Sequence, residues 1–293
     1  MSTTPHEHAR QAFAAWREAL AANAYDADAH VRSLVAVHER TDAADHLRAF
    51  GQVVVDVDPL IRHNSRDEHL PRLARWDGVG NRVEAIDHHP SYHEVGRAMY
   101  ASGIMANYAE PGRELETLFL LYLMGQNGEG GHCCPMACTA GLIKILQRNG
   151  DPQGWLERLL DPDYDTHFHG AQFLTEVQGG SDVGSNCVVA EPAGDGSWRL
   201  TGEKYFCSVA DAQLMLVTAR PEGAPDGTRG VRAFAVPRHL PDGSVNGFHL
   251  RRLKFKLGTR TMASGEMDFD GAWAWPVGVG VGARLSVLWA SRR

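Results

Sequence analysis

The spacing of apolar residues changes near residue 168, and this change constrains the fold most strongly. Before it, apolar residues recur every three or four positions, as in residues 112–125, which is typical of helices. After it, short alternating segments such as 198–201 and 231–236 are separated by Gly, Asp and Pro, as in an all-β domain. We therefore predict an α+β chain, with an N-terminal all-α domain at 1–167 and a middle β-barrel or β-sandwich domain at 168–276.

Several boundaries can be predicted inside the first domain. Helical spacing covers residues 6–49 and 134–149. The β-favouring residues 53–57 precede an Asp-Pro pair, which predicts that a helix ends before Pro59. Residues 75–83 contain Asp, Gly and Asn between apolar positions, which predicts a turn or a short hairpin.

Composition limits the possible partners and compartment. The chain has 293 residues and a net charge of -7, so we do not expect a broad electrostatic grip on DNA or on an anionic membrane. The N-terminus lacks the apolar core of a signal peptide, and no apolar run reaches membrane-spanning length. The odd number of five cysteines does not fit a secreted disulfide framework. We predict a cytoplasmic protein with no membrane partner.

Two groups of residues suggest metal ligands, but neither has the spacing of a known site. His89 and His93 are four residues apart, but Pro90 lies between them where a helix begins, with Ser91 as its predicted N-cap. A packing role explains this pair as well. The second group matches no paired zinc knuckle, and buried small residues at a helix start explain it better. It comprises His132, Cys133, Cys134 and Cys138. We predict no metal site.

A polar loop after residue 173 is the best candidate for a ligand site. Gly179 and Gly180 can adopt positive φ and allow a ligand to approach the backbone. Thr175 and Ser181 add hydroxyl groups beside several backbone N–H groups. Such a loop suits a phosphate or the edge of a flavin. A plain surface turn explains the same Gly-Gly-Ser-Asp sequence.

Three blocks of sequence resemble the acyl-CoA dehydrogenase family. They are the Thr-Glu-x-x-x-Gly-Ser-Asp motif at 175–182, Leu-Thr-Gly-Glu-Lys-Tyr-Phe-Cys-Ser at 200–208, and a basic block at 251–266. They occur in the family's order, and their details are similar to the AidB-like branch, which is linked to the response to alkylation damage. The resemblance extends from about Arg75 to Pro276. It implies a helical domain followed by a β domain, with a C-terminal helical bundle after them.

The resemblance implies an FAD-dependent oxidoreductase that removes hydrogen from the α and β carbons of an acyl-CoA thioester. Thr175 matches the residue that bonds the flavin pyrimidine edge, and Ser181 the residue at the pyrophosphate or substrate. Phe206 matches the aromatic residue that covers one flavin face, and Ser208 the hydroxyl that reaches N5. Each also has a structural explanation, as a strand, core or turn residue. The other flavin contacts implied are Gln172, Phe173, Leu174, Gly180 and Cys207.

The catalytic base of the family is a Glu in or near the C-terminal helical domain, and no residue here matches it. We therefore predict no catalytic residue in this chain. Residues 277–293 carry no acidic residue and do not resemble the family, so we expect an aberrant tail from a frameshift or truncation near Gly278. Such a chain would be inactive or impaired, would expose apolar surface and would lack the core of the family homotetramer. No motif identifies the electron acceptor.

Two other functions compete with the dehydrogenase. DNA binding, a property linked to the AidB branch, would need a basic footprint, and one segment offers it. A solvated strand face paired with acidic neighbours explains that segment equally well. The basic segment that could contact DNA comprises Arg251, Arg252, Lys254, Lys256 and Arg260.

A non-catalytic remnant that acts only as a scaffold is the third possibility.

Overall fold

The computed structural model describes residues 4–20, 22–128 and 130–278, and most of the tail predicted at 277–293 lies outside them. The first part of the chain is mainly helical, as predicted. Its helices are α1 (Pro5–Leu20), α2 (Ala24–Ala27), α3 (Ala29–Val37), α4 (Ala44–Asn64), α5 (Pro90–Tyr100), α6 (Glu114–Gly125), α7 (Cys133–Asn149) and α8 (Trp155–Leu160). None of these helices is long and apolar enough to cross a membrane.

Helix α4 continues through Pro59, so the boundary predicted there is wrong. A proline inside a helix loses one backbone hydrogen bond and strains the preceding turn. Here the opposite face of the helix compensates by packing in the core, while Pro59 itself is exposed. The buried apolar residues of α4 are Leu47, Phe50, Val54, Val57 and Ile61. Their spacing follows the helical period, which outweighs the β preference of the valines at 53–55.

Helix α5 begins one residue earlier than the predicted cap. His89, not Ser91, is the N-cap, and its Nδ1 accepts the backbone N–H of Ser91 at 3.2 Å. Pro90 occupies the first helical position, where its missing N–H costs nothing. The predicted N-cap was therefore wrong because an imidazole nitrogen replaces the usual hydroxyl acceptor.

The predicted hairpin is confirmed, and it joins the helical part to the β domain. Strands β1 (Arg72–Trp76) and β2 (Arg82–Asp87) pair antiparallel. Arg75 Nε donates to the carbonyl of Leu250 at 3.1 Å, and an Arg82 Nη donates to that of Phe248. The first region is therefore not purely helical, and its hairpin packs on the sheet of the second.

The second region is a β-barrel, as predicted. Its strands are β3 (Gly170–Phe173), β4 (Val189–Pro192), β5 (Trp198–Ser208), β6 (Leu214–Pro221), β7 (Arg232–Pro237), β8 (Phe248–Leu253) and β9 (Ser264–Pro276). The strands follow the order β6-β4-β5-β9-β7, and pairing of β7 with β6 closes the ring. Strand β3 adds to β6, and β8 adds to β9.

Two apolar cores divide the molecule. One lies among the helices and includes Phe50, Tyr100 and Leu120. The other fills the barrel and includes Phe173, Phe234 and Phe248. Strand β6 contributes alternate residues to both, since Leu214 and Leu216 face the helices while Met215 and Val217 face the barrel interior. The wall formed by β6 therefore fixes the helices to the barrel.

Candidate functional site

The Thr175 loop (residues 174–188) leaves and rejoins one edge of strand β6. Before the loop, β3 pairs in parallel with β6 from Gly170 opposite Leu214 onwards. After it, the N–H of Arg220 donates to the carbonyl of Val188 at 2.7 Å, and β4 continues along the same strand. Both ends of the loop are thus held by the barrel wall. The conformation of the residues between them depends on contacts within the loop.

A buried ion pair fixes the base of this loop. Lys204 on β5 is fully buried, and its Nζ lies 2.7 Å from Oε1 of Glu176. The same Nζ donates to Oγ1 of Thr218 at 3.1 Å. Glu176 also accepts the backbone N–H groups of Cys187 at 2.6 Å and Val188 at 3.2 Å. All these contacts join the two ends of the loop to the strands beneath it.

The pKa values of the pair follow from its burial and its partners. Burial lowers the pKa of Lys204, although the bond to Glu176 acts in the opposite direction. Burial alone raises the pKa of Glu176, but the Cys187 N–H and the Lys204 ammonium outweigh it and leave that pKa below its usual value. Glu176 is therefore a stabilising carboxylate rather than a proton acceptor.

Thr175 and Gly180 are in close contact inside the loop. The Thr175 carbonyl accepts the backbone N–H of Tyr205 at 2.9 Å, which holds Thr175 beside β5. A Cβ added at Gly180 would lie only 2.5 Å from Oγ1 of Thr175. Gly179 has φ 146°, so a side chain there would strain the backbone. The two glycines let the loop fold back on Thr175 and leave Ser181 exposed beyond it.

Strand β5 exposes an aromatic ring one residue after Tyr205, whose N–H binds the Thr175 carbonyl. Its pairing with β9 shifts register between Lys204 and Cys207. This irregularity lets Phe206 face outward with 43% of its surface exposed, while Cys207 stays fully buried. The half-buried Ser208 follows, with its hydroxyl 3.2 Å from that of Ser264 on β9.

The remaining residues predicted at the site lie around β3 and mostly serve its packing. Phe173 is fully buried in the barrel core, so only its backbone and that of Cys207 could reach a ligand. Gln172 donates through Nε2 to the carbonyl of Cys138 at 3.1 Å, which ties β3 to α7. The Leu174 carbonyl accepts from Lys204 and from Asn186, so it belongs to the base of the loop.

Most cations of the basic segment that suggested a DNA footprint are paired with carboxylates. Arg251 contacts Glu203 at 2.7 Å and also Asp268. Arg252 and Lys254 both bind Glu266, at 2.8 and 2.6 Å. These two cations lower the pKa of Glu266 to about 2. Arg260 pairs with Asp67 in the helical region at 2.8 Å. Only Arg251 and Arg252 lie on strand β8, and Lys256, beyond it, donates to the Met262 carbonyl at 2.7 Å and to the Ser264 hydroxyl at 2.9 Å. The predicted pairing with acidic neighbours thus holds for four of the five cations.

A family model described as the adaptive response protein AidB N-terminal domain matches residues 16–166. The acyl-CoA dehydrogenase middle domain matches residues 171–272, which include the whole Thr175 loop and Phe206. The chain belongs to the acyl-CoA dehydrogenase family. The match of its helical region to the AidB N-terminal domain agrees with the predicted resemblance to the AidB-like branch.

Similar proteins agree with this assignment. The chain is 35% identical over 258 residues to the putative acyl-CoA dehydrogenase AidB of Escherichia coli, covering 83% of this chain and 46% of that protein. It is 29% identical over 268 residues to acyl-CoA dehydrogenase family member 11 of Caenorhabditis elegans, covering 86% and 43%. The chain thus spans about half the length of these relatives.

Solved structures share the fold. Caenorhabditis elegans ACDH-11 in complex with C11-CoA matches with a TM-score of 0.81 and 28% identity, covering 91% of this chain and 48% of that chain. The apo form of Bd2924 matches with the same TM-score and 25% identity, covering 91% and 56%. These matches extend over both the helical region and the barrel.

A cluster of aromatic rings, here named the His–Tyr core, occupies the helical region near β6. Tyr92 stacks on His132 with ring centroids 4.2 Å apart, and Tyr100 lies 3.0 Å from Nδ1 of His169 through its hydroxyl. A Cβ at Gly96 would lie 2.3 Å from the ring of Tyr164, so only glycine lets this ring approach α5. The cluster comprises Tyr92, Tyr100, His132, Tyr164, His167 and His169.

The residues considered as metal ligands are separated by this packing. His132 is buried in the His–Tyr core, and its Nε2 donates to the carbonyl of Tyr92 at 2.8 Å. His93 contacts the hydroxyl of Tyr164 at 3.0 Å, whereas His89 turns away from it toward other histidines. Cys134 and Cys138 lie 3.9 Å apart on α7. In neither of the two groups considered as metal ligands do the side chains converge on one point.

Sequence reasoning missed the residues that support the loop. Lys204 lies within a recognised block, but nothing in its neighbourhood marks it as a fully buried cation. Asn186 donates to Thr218 at 2.7 Å and to the Leu174 carbonyl at 3.1 Å. The inward position of Lys204 depends on the register shift between β5 and β9, which the sequence does not show.

Proposed function

We propose that this chain binds FAD and belongs to an enzyme that removes hydrogen from the α and β carbons of an acyl-CoA thioester. The observation that carries the proposal is the anchored Thr175 loop beside the exposed ring of Phe206. The Thr175 carbonyl is held by the N–H of Tyr205 at 2.9 Å, the exposed Phe206 is the next residue of β5, and Ser208 follows on the same strand. The Lys204–Glu176 pair anchors the base of the loop. Such a surface matches a ligand that is flat and carries polar groups along its edges.

The local structure fits a flavin. Gly180 brings the loop within van der Waals distance of Thr175, so the loop backbone can lie close to a ligand held there. Phe206 exposes 43% of its surface, although a phenyl ring in a β-barrel is normally buried. Ser208 lies two residues further along the same strand. Thr175 would bind the pyrimidine edge, Phe206 would cover one face, and Ser208 would donate to the central ring.

The chemistry divides between the cofactor and the protein. FAD, when bound, supplies the acceptor for the hydride from the β carbon. The residues of this chain would position it and exclude water from one face. Ser181, exposed at the tip of the loop, would bind the pyrophosphate or the substrate. Glu176 and Asp182 are excluded as the base, since Glu176 is held by Lys204 and Asp182 accepts the Gly184 N–H at 3.1 Å.

The substrate class comes from the relatives. ACDH-11 was solved with C11-CoA, and the related proteins carry the name acyl-CoA dehydrogenase. We extend this substrate class to the present protein, but we assign neither the length of the acyl group nor the electron acceptor. DNA binding has less support, because Arg251, Arg252 and Lys254 are already paired with carboxylates of the same sheet.

Retention of flavin tests the proposal directly. The purified chain is incubated with FAD and passed through gel filtration, and the visible absorption of the protein peak is measured. We expect flavin bands that weaken at least tenfold in a Thr175→Ala/Ser208→Ala double variant, because two charge-stabilising hydrogen bonds are lost.

Ser33→Ala is the matched control, since Ser33 is an exposed hydroxyl on α3 that bonds only its own helix. It should retain flavin like the unmodified chain. A folded chain that emerges colourless, or a double variant that retains as much flavin as Ser33→Ala, would contradict the proposed site. Circular dichroism identifies which variants are folded.

A further inference from the structure

Three histidines from separate segments converge on the surface of the helical region. His63 lies in the last turn of α4, His69 ends a 3-10 turn at Asp67–His69, and His89 precedes α5. Their ring centroids are 4.3 Å (63 to 69), 5.0 Å (63 to 89) and 3.9 Å (69 to 89) apart. One nitrogen from each ring lies within 4.8 Å of the other two.

Hydrogen bonds leave ligand nitrogens available on these rings. Nδ1 of His69 lies 2.7 Å from the carbonyl oxygen of His63, to which it can only donate, so Nε2 of His69 keeps its lone pair. Nδ1 of His89 lies 2.8 Å from the Ser91 hydroxyl. As the N-cap of α5, this nitrogen accepts the Ser91 backbone N–H, so the proton lies on Nε2 in that tautomer. A metal bound through Nε2 would require the other tautomer, in which Nδ1 donates to the Ser91 hydroxyl and the cap bond is lost. No hydrogen bond joins a His63 ring nitrogen to another residue in the described part of the chain.

This pattern differs from that of the other histidines packed nearby. The buried side chain of His88 is paired with Asp211 at 2.8 Å, and the half-buried His93 is paired with the hydroxyl of Tyr164. Their nitrogens are therefore used by the protein. His63, His69 and His89 are only half-buried, so water and ions can reach them. A backbone carbonyl that orients one imidazole is also a common support for a metal ligand.

We propose that His63, His69 and His89 bind a divalent transition metal of the Zn²⁺ class, with water at the fourth position. Imidazole nitrogens suit Zn²⁺, Ni²⁺ and Cu²⁺ better than the oxygen-seeking Mg²⁺ or Ca²⁺. Bringing nitrogens that lie within 4.8 Å of one another to a common ion requires only small rotations of the rings. This assignment replaces the expectation of no metal, which considered His89 only with His93.

The metal would have a structural role. It would join the end of α4 to the start of α5 through the short segment that carries His69. Asp67 in that segment pairs with Arg260 of the β domain at 2.8 Å, so the clamped turn also contacts the barrel. A ligand that binds only the folded state stabilises it, and at a hundred times its dissociation constant it raises the folding equilibrium constant about a hundredfold.

Metal titration of the untagged chain tests this site. The protein is treated with a chelator, dialysed and titrated with Zn²⁺ against a chromophoric competitor, and Co²⁺ is used to report coordination by its visible bands. We expect one tightly bound metal per chain, with Co²⁺ bands of a four-coordinate site. His69→Ala and His89→Ala should each weaken binding at least tenfold, because a ligand is lost.

His38→Ala is the matched control, since His38 is an exposed histidine at the end of α3. It should bind like the unmodified chain. No binding by the unmodified chain, or binding that survives both ligand substitutions, would overturn the proposal. The thermal midpoint should rise with Zn²⁺ in the unmodified chain and in His38→Ala. If the ligand variants fail to fold, an unmodified chain that binds no Zn²⁺ and shows no rise still overturns the proposal.

Discussion

The His–Tyr core and the base of the Thr175 loop both bury polar groups, but they do so in different ways. The core uses neutral rings whose polar atoms bond mostly to one another or to backbone carbonyls, as in Tyr100 with His169. The loop base instead buries a charged pair, Lys204 with Glu176. Neutral groups suffice where helices only need to pack. A charged pair with several acceptors specifies one loop conformation, in which the Thr175 carbonyl binds the N–H of Tyr205 on β5.

Removing one member of the charged pair should give the largest effect. We expect Lys204→Met to lower the free energy of unfolding by about 3–5 kcal/mol, because it leaves the buried Glu176 uncompensated. Denaturant unfolding followed by circular dichroism measures the change. The double variant Lys204→Met/Glu176→Leu should recover part of the loss. A single variant as stable as the unmodified chain would show that the pair is not an anchor.

The His–Tyr core should make the free energy of unfolding decrease at acid pH. Burial lowers the pKa of both His132 and His167 from 6.5 to about 4. Their contribution to stability is therefore complete above pH 6.5 and is lost as the pH falls toward 4, since only the unfolded chain takes up these protons. Each histidine should add a slope of about 1.4 kcal/mol per pH unit in this range.

Comparison with His167→Gln isolates one of these contributions. The free energy of unfolding is measured by urea titration at several pH values between 4 and 7. The variant should show the flatter dependence, because glutamine does not titrate. Equal slopes in the two proteins would mean that His167 is protonated in the folded state and that the core tolerates charge.

A surface pair provides the contrast to the buried one. Arg251 is 45% exposed and bonds Glu203 and Asp268. We expect Arg251→Ala to cost only about 0.2–1 kcal/mol, because solvent screens the pair. The cost should decrease further when unfolding is measured at high salt. A loss of unfolding free energy as large as that caused by Lys204→Met would show that the surface pair and the buried pair do not differ in strength.

The smallest effect on stability should come from the exposed ring at the proposed flavin surface. Phe206→Ala should change the free energy of unfolding by less than about 0.5 kcal/mol, because no core contact is lost. It should nevertheless reduce flavin retention several-fold. Phe255→Ala, which removes another exposed ring (94% exposed), should retain flavin normally. Equal retention by both variants would assign Phe206 no special role.

Much of the fold could be predicted from the sequence because its signals are local. Helical spacing predicted α6 and α7, and a cluster of turn residues predicted the β1–β2 hairpin. The errors occurred where distant contacts override local preference. Pro59 remains inside α4 because the opposite face is packed in the core, and the imidazole of His89 caps α5 in place of Ser91.

The candidate site shows a similar limit. The family resemblance drew attention to Thr175, Ser181, Phe206 and Ser208, and whether they contact flavin stays a prediction. The Thr175 loop is supported by Lys204 only because three strands meet there, and no local sequence pattern encodes that meeting. The contact among His63, His69 and His89 is equally non-local. It forms only because the β1–β2 hairpin, which lies between His69 and His89, brings the chain back to the end of α4.

Strand β9 has a consequence for the order in which the protein can assemble during synthesis. It pairs with β5, β7 and β8, and it is the last of the strands described along the chain. The edges of those three strands therefore wait unpaired until residues 264–276 leave the ribosome. The helices, whose contacts are largely complete before β9 is made, can form first. The barrel then closes in a late step, and until that moment its open edges are the part of the nascent chain that most needs protection by chaperones.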